Sequence, residues 1–172
     1  GKATLPFVGF GTAFFDYDND MDLDLAVANG DVIDNIDDLR DQRSYKQLNL
    51  LLQNDGSGKF TEVGPVSGPG FALKKASRAL AVGDIDNDGD LDAVINCFNA
   101  PALLYRNETA APRIGVRLKG KEPNTQGIGA KIKVTGGPVT QTQEVVSGGR
   151  YMSGDDPMRV FAAGNSTNLA IE

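Results

Sequence analysis

The chain has 172 residues, with 23 acidic and 17 basic side chains and a formal net charge of −6, so it can form one ordinary domain or two small ones. It contains no histidine, which excludes histidine-based catalytic triads, proton shuttles and histidine metal sites. No stretch approaches the roughly twenty apolar residues that span a membrane, and no signal peptide is visible.

The negative charge is concentrated in two short stretches. Aspartate accounts for 18 of the 23 acidic residues, and ten of these aspartates lie in residues 16–24 and 84–92. The formal charges of residues 1–110 sum to −9 and those of residues 111–172 sum to +3. This asymmetry indicates two modules. The basic residues of the second module have no aromatic run between them, so the sequence does not predict nucleic-acid binding.

Short apolar runs separated by turn residues predict an all-β fold. The first acidic stretch lies between two predicted strands, and an insertion of mixed polarity follows at residues 31–46. A turn or two of helix is possible at residues 37–47. Two further strands flank the hairpin turn Asn54–Gly58. The predicted strands of this first round are residues 8–15, 23–28, 48–53 and 59–63.

A second round repeats the same order around the second acidic stretch. Its predicted strands are residues 79–82, 91–98 and 102–106, and no clear fourth strand follows Asn107. Without the insertion, one round is about 50 residues long, and four short strands at this period describe a propeller blade. Cys97 lies at the end of an apolar run and is predicted to be a small buried residue.

The two acidic stretches have the spacing of calcium-binding loops. Aligned from the first aspartate, they share every acidic position, the asparagine at position four and the leucine at position eight. Crowded carboxylates repel one another unless a hard cation such as Ca²⁺ is bound between them. We predict that side chains one, three, five and nine bind the ion, together with the backbone carbonyl of position seven.

Two other structures can account for aspartate-rich stretches of this kind. An acidic, solvated turn explains most isolated aspartate-rich runs, but the recurrence of the whole pattern disfavours it here. An EF-hand needs a glutamate at position twelve and a helix on each side. Position twelve is Val27 in one stretch and Ile95 in the other, and both lie in runs that suit strands. The sequence therefore predicts calcium loops between antiparallel strands.

The sixth loop position distinguishes the two stretches. Calcium loops place glycine where the chain must turn sharply, and this position is Gly89 in the second loop but Met21 in the first. If the position requires positive φ, methionine is strained there by about 1–2 kcal/mol. On this argument the second loop is expected to bind Ca²⁺ more tightly.

The first part of the chain resembles the FG-GAP/VCBS repeats of integrin α-like propellers. The resemblance rests on Phe10-Gly11, the two D-x-D-x-D-x-x-x-D loops and the Asn54-Asp55-Gly56-Ser57-Gly58 hairpin. It implies two calcium-binding β blades over residues 1–110, as a partial propeller, and one Ca²⁺ in each loop. The metal ligands implied by the resemblance are Asp16, Asp18, Asp20, Asp22, Asp24, Asp84, Asp86, Asp88, Asp90 and Asp92.

The second part, residues 111–172, resembles the ASPIC/UnbV domain. The matching segments are residues 124–134, 143–145 and 149–153, and cartilage acidic proteins have the same domain order. Strands are predicted at residues 114–118, 130–134, 140–146 and 159–162. The Gly127-x-Gly129 pair precedes a strand and not a helix, so it does not indicate nucleotide binding.

We therefore expect a calcium-binding, non-catalytic recognition or adhesion module with a protein or glycan ligand. The protein would be extracellular, on the cell surface or periplasmic, with self-association or further blades covering open strand edges. The alternative is the scaffold of an extracellular carbohydrate-active enzyme, a hydrolase or lyase. The acidic residues outside the loops form no recognisable catalytic pair, and Asp155-Asp156 is expected to be a turn. An enzyme is therefore the less favoured interpretation.

Overall fold

The computed structural model describes residues 4–39 and 43–172 of an all-β chain of the partial-propeller type. Arg40, in the region where a helical turn was considered, lies outside these residues. Just before it, a short helix α1 runs over Ile36–Leu39. None of the helices in the described parts of the chain is long and apolar enough to cross a membrane.

The first blade is a four-stranded antiparallel meander. Its strands pair in chain order, so each strand is hydrogen-bonded to the next. The strands are β1 (Gly9–Phe15), β2 (Asp24–Asn29), β3 (Leu50–Asn54) and β4 (Phe60–Glu62). All four were predicted from the apolar runs, with boundaries that differ by one or two residues.

The second blade has three strands among the described residues, in agreement with the missing fourth-strand signal after Asn107. The strands are β5 (Ser77–Gly83), β6 (Asp92–Cys97) and β7 (Ala100–Tyr105). The first strand of each blade carries a register irregularity at equivalent positions, Gly9/Thr12 and Ser77/Leu80. The repeat is therefore preserved in the backbone.

The connection between the blades contains two short helices that the sequence analysis did not predict. Helix α2 spans Gly64–Ser67, with proline in its first turn, and a 3₁₀ helix spans Pro69–Ala72. Phe71 of the 3₁₀ helix stacks on Tyr105 of β7, with ring centroids 4.6 Å apart. The connection thus packs back onto the second blade.

The two blades pack through small and apolar side chains. The shared core contains Ala13, Phe15, Ala26, Ala28, Leu51, Leu80, Val82, Ala93, Ile95 and Cys97. Glycine allows β1 and β5 to approach each other closely, because a Cβ at Gly11 would lie 2.6 Å from the backbone nitrogen of Leu80. The burial of Cys97 confirms the sequence prediction for this residue.

The C-terminal part has its own smaller core, built from Ile132, Val134, Val145 and Phe161. Strand β9 pairs with β10 and β14, and β8 pairs with β13. A two-residue hairpin, β11–β12, lies between these sheets in sequence. The strands are β8 (Arg113–Val116), β9 (Lys131–Thr135), β10 (Gln141–Glu144), β11 (Gly149–Arg150), β12 (Ser153–Gly154), β13 (Arg159–Ala162) and β14 (Ala170–Ile171).

The hairpin β11–β12 and the residues after it lie along the first strands of both blades. The carboxylate of Asp155 accepts a hydrogen bond from the Val82 amide (2.9 Å), and the Asp156 amide donates to the Val82 carbonyl (3.1 Å). Arg150 donates to the Thr12 carbonyl (2.9 Å). Backbone groups at the free edges of β1 and β5 are therefore satisfied by the C-terminal part.

Candidate functional site

The two acidic stretches are the tips of equivalent hairpins, one joining β1 to β2 and the other joining β5 to β6. The last residue of each entering strand pairs with the ninth loop residue, Phe15 with Asp24 and Gly83 with Asp92. The ninth aspartate is therefore the first residue of the returning strand, one residue later than the predicted start at Leu23 or Leu91.

The backbone of each loop folds around its first aspartate. Asp16 accepts hydrogen bonds from the amides of Asp20 (3.0 Å) and Met21 (2.9 Å). Asp84 accepts the equivalent bonds from Asp88 (3.1 Å) and Gly89 (3.0 Å). Because both carboxylate oxygens hold the turn, the two loops have the same shape without any help from flanking helices.

Two positions in each loop adopt positive φ. The fourth residue, Asn19 or Asn87, has φ of 58° or 63°, which accounts for the asparagine shared at this position. The sixth residue has φ of 85° at Met21 and 95° at Gly89. The predicted sharp turn is present in both loops, and Met21 adopts a conformation that favours glycine.

An asparagine from outside each loop fixes the ninth aspartate, and the sequence analysis did not identify it as a site residue. The backbone amide of Asn54 donates to the Asp24 carboxylate (2.9 Å), and the backbone amide of Asn107 donates to the Asp92 carboxylate (2.8 Å). The signal was available, since the two asparagines align when the rounds are superimposed without the insertion.

The structure brings some of the predicted ligands into compact groups. Carboxylate oxygens of Asp16, Asp18 and Asp24 lie within 4.8 Å of one another, and so do those of Asp84, Asp86 and Asp88. The other four predicted ligands do not join these groups. In the first loop, the Asp20 carboxylate accepts a hydrogen bond from the backbone amide of Asp22 (3.1 Å). In the second loop, the Asp88 carboxylate accepts the equivalent hydrogen bond from the backbone amide of Asp90 (3.0 Å).

Burial makes these carboxylates costly to ionise. Asp24 and Asp90 are completely buried. Burial raises the pKa of Asp24 to about 7, against the opposite effect of hydrogen bonds from the Asn54 and Tyr17 amides. Burial also raises the pKa of Asp16 to about 6, and burial together with the Asp88 charge raises that of Asp90 to about 6. A bound cation would offset this cost.

Several buried oxygens in the loops have no hydrogen-bond donor. Neither carboxylate oxygen of Asp90 has one, and the same holds for one oxygen each of Asp18 and Asp22. Buried acceptors normally have partners, because an unsatisfied one costs about 1–3 kcal/mol. Oxygen-only donor sets with unsatisfied acceptors fit a hard divalent cation.

A cleft of about 270 Å³ lies beside the first loop, between the blades and the C-terminal part. Asp16, Phe14 and Leu23 line it on the blade side. Asp155 and Asp156 line the opposite side. Asp155 forms an ion pair with Arg150, and Asp156 forms one with Arg117. The Asp155-Asp156 dipeptide, expected only to form a turn, therefore holds the two parts of the chain together.

Comparison with known protein families finds two matches. The model of the FG-GAP-like repeat matches residues 16–95, which include both acidic loops. The model described as ASPIC and UnbV matches residues 120–171. No curated protein matches the chain.

Proposed function

The chain carries FG-GAP-like repeats followed by an ASPIC/UnbV domain, and on this premise we propose that it is a calcium-binding, non-catalytic recognition or adhesion module. FG-GAP repeats are typical of extracellular proteins. We assign the calcium-binding blades to residues 1–110 and the ASPIC/UnbV domain to residues 111–172. The protein acts outside the cytoplasm, as a secreted, cell-surface or periplasmic protein.

The donor set supports Ca²⁺ as the ion. The loops offer carboxylate and carbonyl oxygens, and the chain has no histidine, so its ligands are those preferred by hard cations. In each loop, the ligands we propose are the five aspartates named from the sequence. The seventh residue, Asp22 or Asp90, would contribute its backbone carbonyl.

The observation that carries the proposal is the fully buried Asp90 carboxylate without a hydrogen-bond donor. Arg113 Nη2 lies 3.6 Å from Asp90 Oδ2, too far to donate a hydrogen bond, so both acceptor oxygens of this buried carboxylate stay unsatisfied in the folded chain. In the first loop, one buried oxygen each of Asp18 and Asp22 lacks a donor in the same way, and Asp24 is completely buried. Calcium binding would therefore stabilise the fold, because the folded chain alone assembles these oxygens.

The ligand that the module recognises would be a protein or a glycan. The cleft between the blades and the C-terminal part supports this proposal, because concave sites with apolar walls and a few polar groups are favoured for binding. Phe14 and Leu23 are more than half exposed at its border. Ca²⁺ in the first loop would fix the position of this border.

Thermal unfolding with millimolar Ca²⁺ and with excess chelator tests calcium binding. Ligand at about a hundred times its Kd stabilises by about 2.7 kcal/mol per site, so each occupied site should raise Tm by roughly 5–10 °C and the two together by roughly 10–20 °C. Asp16→Asn and Asp84→Asn should each reduce this rise, whereas Asp38→Asn, an equal charge change on α1, should not. Identical melts with and without Ca²⁺ would overturn the proposal.

A further inference from the structure

The two loops differ in the positive charge around them. Arg113 donates from Nη2 to the Asp88 carbonyl (2.9 Å), and the same nitrogen lies 3.4 Å from Asp88 Oδ1 and 3.6 Å from Asp90 Oδ2. Arg106 Nε lies 3.9 Å from Asp86 Oδ2. The second loop therefore has two guanidinium groups close to its carboxylates.

The first loop has a neutral group where the second has arginine. Gln53, the repeat equivalent of Arg106, donates to Asp18 Oδ2 (2.6 Å). Among the described residues, no lysine or arginine forms an ion pair with an aspartate of the first loop. Five carboxylates without a basic neighbour attract a divalent cation more strongly than five carboxylates beside two guanidinium groups.

Arg113 is firmly held in its position. Its side chain is only 15% exposed, and Nη1 donates to the carbonyls of Thr109 (2.6 Å) and Ala111 (3.2 Å). Nε is buried without a partner. Its closest carboxylates are Asp88 and the fully buried Asp90, so it supplies the counter-charge that a buried acid requires.

We propose that the Arg113 guanidinium, held beside Asp88 and Asp90, opposes binding of the divalent cation, so that the second loop is the weaker site and its occupation loosens the C-terminal domain. This inference rests on the proposed calcium function. It reverses the order expected from Gly89 and Met21. Hydrogen bonding to Asp16 holds Met21 at positive φ within the fold, so its strain acts mainly on folding stability.

The coupling follows from the place of Arg113 in the chain. It is the first residue of β8, which pairs with β13, and Ile114 and Val116 of β8 pack on the core of the C-terminal domain. A cation that weakens the Arg113 contacts removes the link between the second loop and β8. By reciprocity, firm docking of β8 lowers the cation affinity of this loop by the same factor.

Calorimetric Ca²⁺ titration of the full chain tests whether Arg113 lowers the Ca²⁺ affinity of the second loop. Asp84→Asn leaves the first loop to be measured alone, and Asp16→Asn leaves the second. We expect Arg113→Gln to tighten the second loop about tenfold, equal to about 1.4 kcal/mol, and to change the first less than about twofold. Arg113→Lys keeps the charge and should leave the second loop close to its original affinity. Arg117→Gln makes the same charge change away from the loop and is the matched control.

Hydrogen exchange of the β8 and β13 amides, measured with Asp16→Asn present, tests the coupling. Added Ca²⁺ should speed their exchange when Arg113 is present and should have no effect with Arg113→Gln. If Arg113→Gln leaves the second loop unchanged or weakens it while both loops bind Ca²⁺, this inference is overturned and the proposed function stands. If neither loop takes up Ca²⁺, both are overturned.

Discussion

At the scale of single residues, Met21 shows how the fold tolerates a side chain where its repeat counterpart has glycine. Its φ of 85° is unfavourable for a residue with a Cβ, at a cost of about 1–2 kcal/mol. The side chain reaches the C-terminal domain, because a Cβ at Gly164 would lie 2.6 Å from the Met21 methyl carbon. Backbone strain in the loop is thus combined with an interdomain contact.

Substitution of Met21 by glycine should stabilise the chain. Relief of the positive-φ strain exceeds the entropic cost of glycine, so we expect the free energy of unfolding to rise by about 1 kcal/mol in denaturant titrations with Ca²⁺. Gly89→Ala, the matched change in the second loop, should lower it by a similar amount. A loss of stability in Met21→Gly would mean that the contact near Gly164 outweighs the strain.

At the scale of elements, the loops should give the chain opposite pH dependence with and without cation. The raised pKa values, about 7 for Asp24 and about 6 for Asp16 and Asp90, mean that the cation-free folded chain binds protons more readily than the unfolded chain. Ionisation of these groups therefore destabilises the fold, fully above about pH 7 and not at all below their unfolded pKa of 3.8.

We expect Tm in chelator to fall as the pH rises from about 5 to about 8, and Tm in excess Ca²⁺ to rise over the same range, because protons compete with the ion. The two curves should converge near pH 5, and the difference should be largest near pH 8. Asp24→Asn should flatten the chelator curve. Parallel curves with and without Ca²⁺ would contradict this account.

The hairpins and their loops could be predicted from the sequence because the information is local. Alternating apolar runs set the strands, and the shared spacing of Asp16–Asp24 and Asp84–Asp92 set the loop positions. The sixth-position turn was predicted from Gly89 alone. These features depend on residues within one hairpin, so no long-range contact was needed to find them.

The missed features depend on contacts between distant parts of the chain. Arg113 reaches Asp88 from β8, and nothing in the residues around it marks it as a partner of the loop. Asp155 was expected to be part of a turn, yet it binds the Val82 amide. Residue patterns describe an element well, but they do not tell which elements meet.

At the scale of the whole molecule, the repeat indicates which surfaces lack a partner. Val82 in the second blade is the counterpart of Phe14 in the first. Val82 is buried, whereas Phe14, at the border of the cleft, is 56% exposed and contacts Phe60 of β4. A further blade packed against Phe14 would bury it as Val82 is buried, and such a blade would then form one wall of the cleft. Coverage by further blades or by self-association stays a prediction.

Unlike the exposed Phe14 side chain, the backbone edge of β5 has a partner within the chain, because the C-terminal domain covers it. Asp155 is the centre of this cover, since it accepts the Val82 amide and pairs with Arg150, whose Nε lies 2.6 Å and 2.7 Å from its two carboxylate oxygens. Both side chains are about 15% exposed, so the pair is largely protected from solvent. Removal of one partner of such a pair leaves an uncompensated charge.

Asp155→Ala should therefore destabilise the chain by about 2–4 kcal/mol in denaturant titrations. It should also expose the β5 edge, which is a template for pairing with another copy. Sedimentation velocity with Ca²⁺ present should show a larger associated fraction for Asp155→Ala than for the original chain at the same concentration. Arg117→Gln breaks the more exposed Arg117–Asp156 pair and should cost less than about 1 kcal/mol without added association. Equal stability and equal association of Asp155→Ala and the original chain would mean that the hairpin contacts the blades without protecting their edges.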